Sequence, residues 1–306
     1  MISDFNGTAM KRIIKAVVNG SKCLFKSLLF CYFRLREKFL YGHYEFSYSS
    51  QNKGKRIYIL CNGPSLKQDL PELMNDKLFM EEDKICVNYF FYNEVIRELK
   101  PTIYCLADPC LFKTAHIGIF NEINGIVDWD MQLVIPLYGS EIIKTIKSML
   151  TNKHITLVAI SALLYTGFEK SRYKSWKAGH SVPSFVNISV MASYVALNMG
   201  FSDIYLYGVE HTFFENMGVD DENRLYLTDS HFYGSEKRYV LRDGQHWHIK
   251  DWLYDKYLTF LEHERIRGYA DYLGATIVNC TKNSLIDAYV CLLYTSPSPR
   301  DAHESR

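Results

Sequence analysis

The chain has 306 residues and a formal net charge of +1, which excludes a dedicated nucleic-acid binder held by a global positive field. Hydrophobic residues make up 48% and charged residues 23%, which suits one large globular domain or two small ones and excludes a disordered chain. The eight cysteines form no C-x-x-C pair, so neither a disulfide framework nor a zinc site is expected; they read as buried thiols of a reducing, cytoplasmic compartment.

Residues 8–42 read as one basic amphipathic helix, which with a linker occupies 1–50. Lys11, Arg12, Lys15, Lys22, Lys26, Arg34, Arg36 and Lys38 crowd it. Its most apolar part, 24–33, is interrupted by Lys26 and falls short of the ~20 apolar residues a spanning helix needs. The apolar stretch also starts too late, and carries too many lysines, for a cleavable signal peptide. Two readings stay open: a helix lying in a membrane interface at the inner face, or a helix packed on the domain or on a partner subunit of a homo-oligomer.

After a polar break at 47–55, short apolar runs recur at 56–61 (RIYILC), 84–88 (KICVN), 102–107 (TIYCLA), 132–137, 155–160, 203–207 (DIYLY) and 275–279 (ATIVN). Most are hydrophobic on both faces, as parallel strands covered by helices are. Helical stretches fall between them at 93–99, 141–150, 188–199 and 251–273, the last two ending at Gly200 and Gly274. The alternation predicts an α/β domain over 51–290, a Rossmann-like parallel sheet flanked by helices, with ligands at the carboxyl ends of strands. Residues 210–248 lack periodic runs and read as an irregular lid. The tail 291–306 carries Ser-Pro repeats and no periodicity, and reads as a non-native, disordered extension.

The polar residues at strand ends are the candidates for chemistry. The first strand runs into Asn62, Gly63, Pro64 and Ser65. Gly63 admits close backbone approach, Pro64 fixes the turn, and Ser65 caps a helix or bonds a phosphate. The loop lacks the Gly-Lys-Ser/Thr ending of a Walker loop. Asn88 and Asp108 end the next two strands, so three polar side chains are expected along one sheet edge. Asn187 and Ser189 open the helix before DIYLY, and Glu210 and His211 follow that strand. His231 lies in the lid, where a histidine serves as a general base. Asp128-Trp129-Asp130 is formally a D-x-D, but three residues match by chance often. His246-Trp247-His248 reads as lid packing rather than a metal pair.

The strings CNGPSL, CVNYF, ADPCLF and YLYGVE, with the later HFYG and NSL, resemble in order and rough spacing the bacterial sialyltransferases of glycosyltransferase family 42, over about residues 55–288. The first motif and the run from Gly200 to His211 are also similar to the Maf/MptE-like superfamily, which includes flagellin-glycosylation proteins and a pterin diphosphokinase. The first resemblance implies a CMP-sugar donor held by Asn62 and Asn88, with Asp108 standing where the family has a third Asn. It implies His231 as base and Tyr233 at the phosphate, although the family's His falls nearer Ser235; His211 and His246 compete for the role. It implies no metal and no cofactor beyond the donor, and a surface glycan or glycolipid as acceptor. The second resemblance implies instead a diphosphokinase or a flagellin-glycosylation protein. A non-catalytic nucleotide-sugar-binding or assembly protein is the third reading.

Overall fold

Along the central strands, alternate side chains enter two separate cores, as a pleat with both faces covered requires. In the first strand, Ile57 and Ile59 face one core while Tyr58 and Leu60 face the other. The computed structural model describes residues 2–42, 46–113, 117–215, 217–231, 234–242 and 244–291. The chain begins with a long helix, α1 (Ile2–Tyr41), and then alternates. In order come β1 (Arg56–Leu60), α2 (Pro64–Asn75), α3 (Lys77–Glu81), β2 (Asp83–Val87), α4 (Ile96–Leu99), β3 (Ile103–Cys105) and α5 (Ile119–Ile126). They are followed by β4 (Met131–Pro136), α6 (Ser140–Met149), β5 (Ile155–Ile160), α7 (Glu169–Lys177), α8 (Ile188–Asn198) and β6 (Asp203–Tyr207). An excursion of β7 (Met217–Val219), β8 (Leu225–His231), β9 (Gly234–Tyr239), β10 (Leu241–Arg242) and β11 (Gln245–His246) precedes α9 (Ile249–Leu273), β12 (Thr276–Asn279) and β13 (Val290–Cys291).

Eight strands form one parallel sheet in the order β13-β12-β6-β1-β2-β3-β4-β5. This is the expected Rossmann-like architecture, and every strand run read from the sequence is in it. Helices α2 to α6 supply the core on one face; α8 and α9 supply the other. Helix α8 is buried at ten of its eleven positions, which is why its sequence is apolar all round rather than striped.

Two expectations change. The segment 210–248 is not irregular: β7, β8 and β9 form an antiparallel sheet, and β10 and β11 a small hairpin. The turn from β7 to β8 is built on Asp220, whose carboxylate accepts from the amides of Glu222 and Arg224. The N-terminal helix starts earlier than residue 8, at Ile2. Residues 292–306 of the expected tail lie outside the described residues. All eight cysteines are free thiols, and burial pushes that of Cys61 up to about 12. No helix among the described residues is long and apolar enough to cross a membrane.

Candidate functional site

A parallel sheet opens a crevice at its carboxyl edge where the winding reverses, because the loops of two neighbouring strands there leave in opposite directions. In this chain β1 to β5 step outward on one side, and β6 returns to the other side of β1. A pocket of about 560 Å³ lies at that switch point, lined by residues 61–64, 187–188, 208–213 and 215, with Leu227 and Thr228 of β8 forming part of the wall. The segment expected to be a lid thus contributes to the pocket at both its beginning and its second strand.

The loop after β1 is drawn tightly onto the loop after β6. The Cys61 amide donates to the Tyr207 carbonyl at 2.9 Å and the Gly63 amide to the Gly208 carbonyl at 3.0 Å. A Cβ on Gly63 would lie 2.5 Å from the Gly208 carbonyl oxygen, and closer still to the Glu210 carboxylate. Close approach, not a special backbone angle, therefore demands glycine here. Pro64 opens α2, where its missing N–H costs nothing.

The Ser65 amide donates to Glu210 Oε1 at 2.6 Å. The Leu66 amide donates to the Gly63 carbonyl at 3.2 Å. With Gly63 already engaged and Pro64 lacking a donor, these loop amides are all occupied by the protein itself. An internal carboxylate sits at the positive end of α2, where a phosphate was expected. This wall therefore presents the Glu210 carboxylate, an acceptor, rather than free amide donors. The Ser65 hydroxyl is buried with no hydrogen-bond partner. Glu210 is itself fixed from behind. The NSL segment near residue 284 pins it: the Leu285 amide donates to the Glu210 carbonyl at 2.8 Å, and Ser284 Oγ to the Val209 carbonyl at 2.7 Å.

His211 follows with φ 55°, a left-handed conformation costing a non-glycine residue about 1 kcal/mol. Its Nε2 lies 3.0 Å from Nε2 of His263, which comes from the middle of α9. His263 is completely buried; its Nδ1 is 2.8 Å from the Tyr289 hydroxyl and its Nε2 is 3.3 Å from Ser189 Oγ. Ser189 donates to Asn187 Oδ1 at 2.7 Å, and the same oxygen caps α8 by accepting from the Ser189 amide at 2.9 Å. Burial lowers the His211 pKa to about 4, helped by the nearby Lys256 cation. Burial pushes His263 well below the usual imidazole range, and His211 adds to that. Two rings joined through the same nitrogen share one proton, so a neutral pair fits this geometry and a doubly charged one does not.

The expected site residues divide. Asn62, Gly63, Pro64, Asn187, Glu210 and His211 meet in the pocket, with Ser65 and Ser189 directly behind it. Asn88 and Asp108 stand on the expected sheet edge but outside this pocket; Asn88 ties its loop to the one after β3, and Asp108 braces its own turn. Asn88, at φ 44°, accepts from the Ala107 amide at 3.1 Å; Asp108 accepts from the Cys110 amide at 2.9 Å and starts a short 3₁₀ turn. Tyr233 lies outside the described residues. His231 is described by its backbone alone, at the end of β8 opposite Gly234.

The D-x-D lies at the amino end of β4, on the far edge of the sheet. There Asp128 pairs with Lys100 at 3.1 Å, Asp130 with His154 at 2.8 Å, and Trp129 Nε1 donates to the Pro101 carbonyl. His246 and Trp247 line a second cavity of about 620 Å³ beside Arg224. His263 and Tyr289 were not singled out in the sequence. The available signal was His263 at helical spacing with the buried Trp252, Thr259, Ile266 and Ala270 of α9.

No protein-family model and no curated protein matches this chain. The fold and the pocket define a Rossmann-like α/β protein with a ligand-sized crevice at its switch point. The wall of that crevice carries one buried carboxylate and one buried imidazole pair.

Proposed function

We propose that the chain is a glycosyltransferase of the sialyltransferase type, moving a sugar from a CMP-activated donor to a hydroxyl of a glycan acceptor. The observation that carries this reading is His211: a buried imidazole on the pocket wall, with Nε2 held by His263 and no hydrogen bond at Nδ1 among the described residues. The motif resemblance supplies the donor class, and the imidazole supplies the base that a direct displacement needs.

In this reading Nδ1 of His211 takes the acceptor's hydroxyl proton as that oxygen bonds the anomeric carbon. The bond from that carbon to the phosphate oxygen breaks, and CMP leaves with the electron pair. Accepting at Nδ1 requires the ring proton on Nε2, donated to Nε2 of His263. His263 then carries its own proton on Nδ1, facing the Tyr289 hydroxyl. The chain Tyr289–His263–His211 accommodates the tautomer that can act as base. An anionic phosphate entering the pocket favours the imidazolium and raises the His211 pKa from about 4 toward a working value. Glu210 receives hydroxyl groups of the donor, Asn62 Oδ1 offers an acceptor and Asn187 Nδ2 a donor.

The test is CMP release from CMP-sialic acid in the presence of hydroxyl-bearing glycans. His211→Ala is expected to lower turnover roughly 100- to 10,000-fold with the fold retained. No release by the unmodified chain from any CMP-sugar tried would end the proposal. Loss of turnover in His231→Ala, with His211→Ala active, would move the base to β8.

A further inference from the structure

Helix α1 presents two opposite sides, one fastened to the fold and one facing outward. On the used side, Ser27 Oγ lies 3.1 Å from the Tyr165 hydroxyl and Phe30 packs edge-on against the Tyr165 ring at 5.1 Å. A Cβ on Gly167 would collide with Ser27 Oγ. Further along, Glu37 is 7% exposed; it accepts from Ser161 Oγ at 2.9 and 3.0 Å and from Arg34 at 2.7 Å. Positions 27, 30, 34 and 37 follow the helical period, so one face is fastened to the segment after β5.

Roughly 180° around the helix, by the 100° step per residue, stands a second stripe at the same period: Phe25, Leu28, Tyr32, Leu35 and Phe39. These five are 60 to 89% exposed. An apolar row this regular on a surface marks an interface. Its flanks are basic: Lys15, Lys22 and Lys26 on one side, Lys38 on the other, with Arg36 within, all exposed. Among the described side chains of α1 the one acid is Glu37, and it lies on the docked face, buried and paired. A second copy laid on this stripe would bring lysines together with no acid to pair them. A surface of anionic headgroups pairs with all of them and takes the apolar row between.

We propose that α1 lies in the plane of an anionic lipid leaflet, with the stripe from Phe25 to Phe39 sunk into the headgroup boundary. The inference stands apart from the proposed chemistry, since α1 contributes nothing to the pocket lining. It also sets an orientation. The docked face grips the chain at the carboxyl end of β5, and the switch-point pocket opens at the same edge by β1. Four strand spacings separate them, about 19 Å.

The experiment is co-sedimentation of the full chain with phosphatidylcholine vesicles, with and without about 30% phosphatidylglycerol. Binding is expected only to the anionic vesicles and is expected to weaken as salt rises. Changing Lys15, Lys22 and Lys26 together to Gln should lower partitioning roughly 100-fold. Leu28→Ser with Phe39→Ser should lower it at least about tenfold. Both variants should keep the parent's melting temperature and circular dichroism, because these exposed residues touch little of the domain. Absence of binding to either vesicle, or equal binding to both, overturns the proposal. So does a stable dimer in solution that Leu28→Ser with Phe39→Ser dissociates, which would give the stripe to a second copy.

Discussion

His211 and His263 tie stability to pH, because a folded-state pKa lowered from 6.5 to about 4 means the unfolded chain binds that proton more readily. The contribution is whole above about pH 6.5 and is lost as pH falls from there through about 4. For His211 the loss is roughly 3 kcal/mol, and His263 acts in the same direction. Urea melts between pH 7 and pH 4 are expected to show stability falling with acid. His211→Asn, which cannot titrate, should flatten that slope; an unchanged slope would assign the acid sensitivity to other groups. Gly63 makes a steric claim at the same site. Gly63→Ala forces its new methyl against the Gly208 carbonyl and the Glu210 carboxylate, at a cost of about 1–3 kcal/mol. Gly125→Ala is the control. That glycine lies in α5 with open space around it, so the same change there should stabilise by about 0.5–1 kcal/mol. Equal melting temperatures for the two variants would refute the close-approach argument.

At the scale of elements, the parallel strands were legible because each is short, apolar on both faces and bounded by turn residues. The polar ends at Asn62, Asn88 and Asp108 were legible as one sheet edge for the same reason. Which of them would face a crevice was not. That depends on β6 inserting beside β1 rather than beyond β5, a choice made by contacts more than 100 residues apart in sequence and invisible to periodicity. Helix α7 escaped because its sequence is polar nearly throughout, with Trp176 its one fully buried side chain. The antiparallel sheet of β7 to β9 escaped because its sequence does not alternate: β8 reads LYLTDSH and β9 GSEKRY, apolar residues clustered at one end and polar residues running together through the rest. His263 escaped because its partner, His211, lies 52 residues away. The cap of α8 was readable, and it does two jobs: Asn187 starts the helix and holds Ser189 beside His263. Asn187→Ala is expected to cost about 1 kcal/mol through the lost cap, measurable by urea denaturation. Asn187→Asp, which keeps the acceptor, should restore most of it. Failure of that rescue would mean that the amide group rather than the capping oxygen matters.

For the whole molecule, the pocket at the switch point and the tethers at Asn88 and Asp108 separate two effects of ligand. A compound that binds the folded state alone stabilises it by RT ln(1 + [L]/Kd), about 2.7 kcal/mol at a hundredfold excess over Kd. In a chain of this size that is a rise of roughly 4 °C in melting temperature. CMP or a CMP-sugar is expected to give such a rise without divalent metal, and Glu210→Ala should shrink it, since that carboxylate forms the pocket wall. Asn88→Ala should instead lower the melting temperature of the empty protein, by freeing the Ala107 amide, and leave the ligand-induced rise in place. The contrast is diagnostic. If Asn88→Ala abolishes the rise while Glu210→Ala leaves it, the donor lies along β2 and β3 as the motif resemblance implies, and the switch-point pocket is not its site. Stabilisation by ATP only in the presence of Mg²⁺ would turn the reading to a diphosphokinase. No response to any nucleotide would leave the Glu210 and His211 wall without a donor to act on, and would favour a binding or assembly role for the fold.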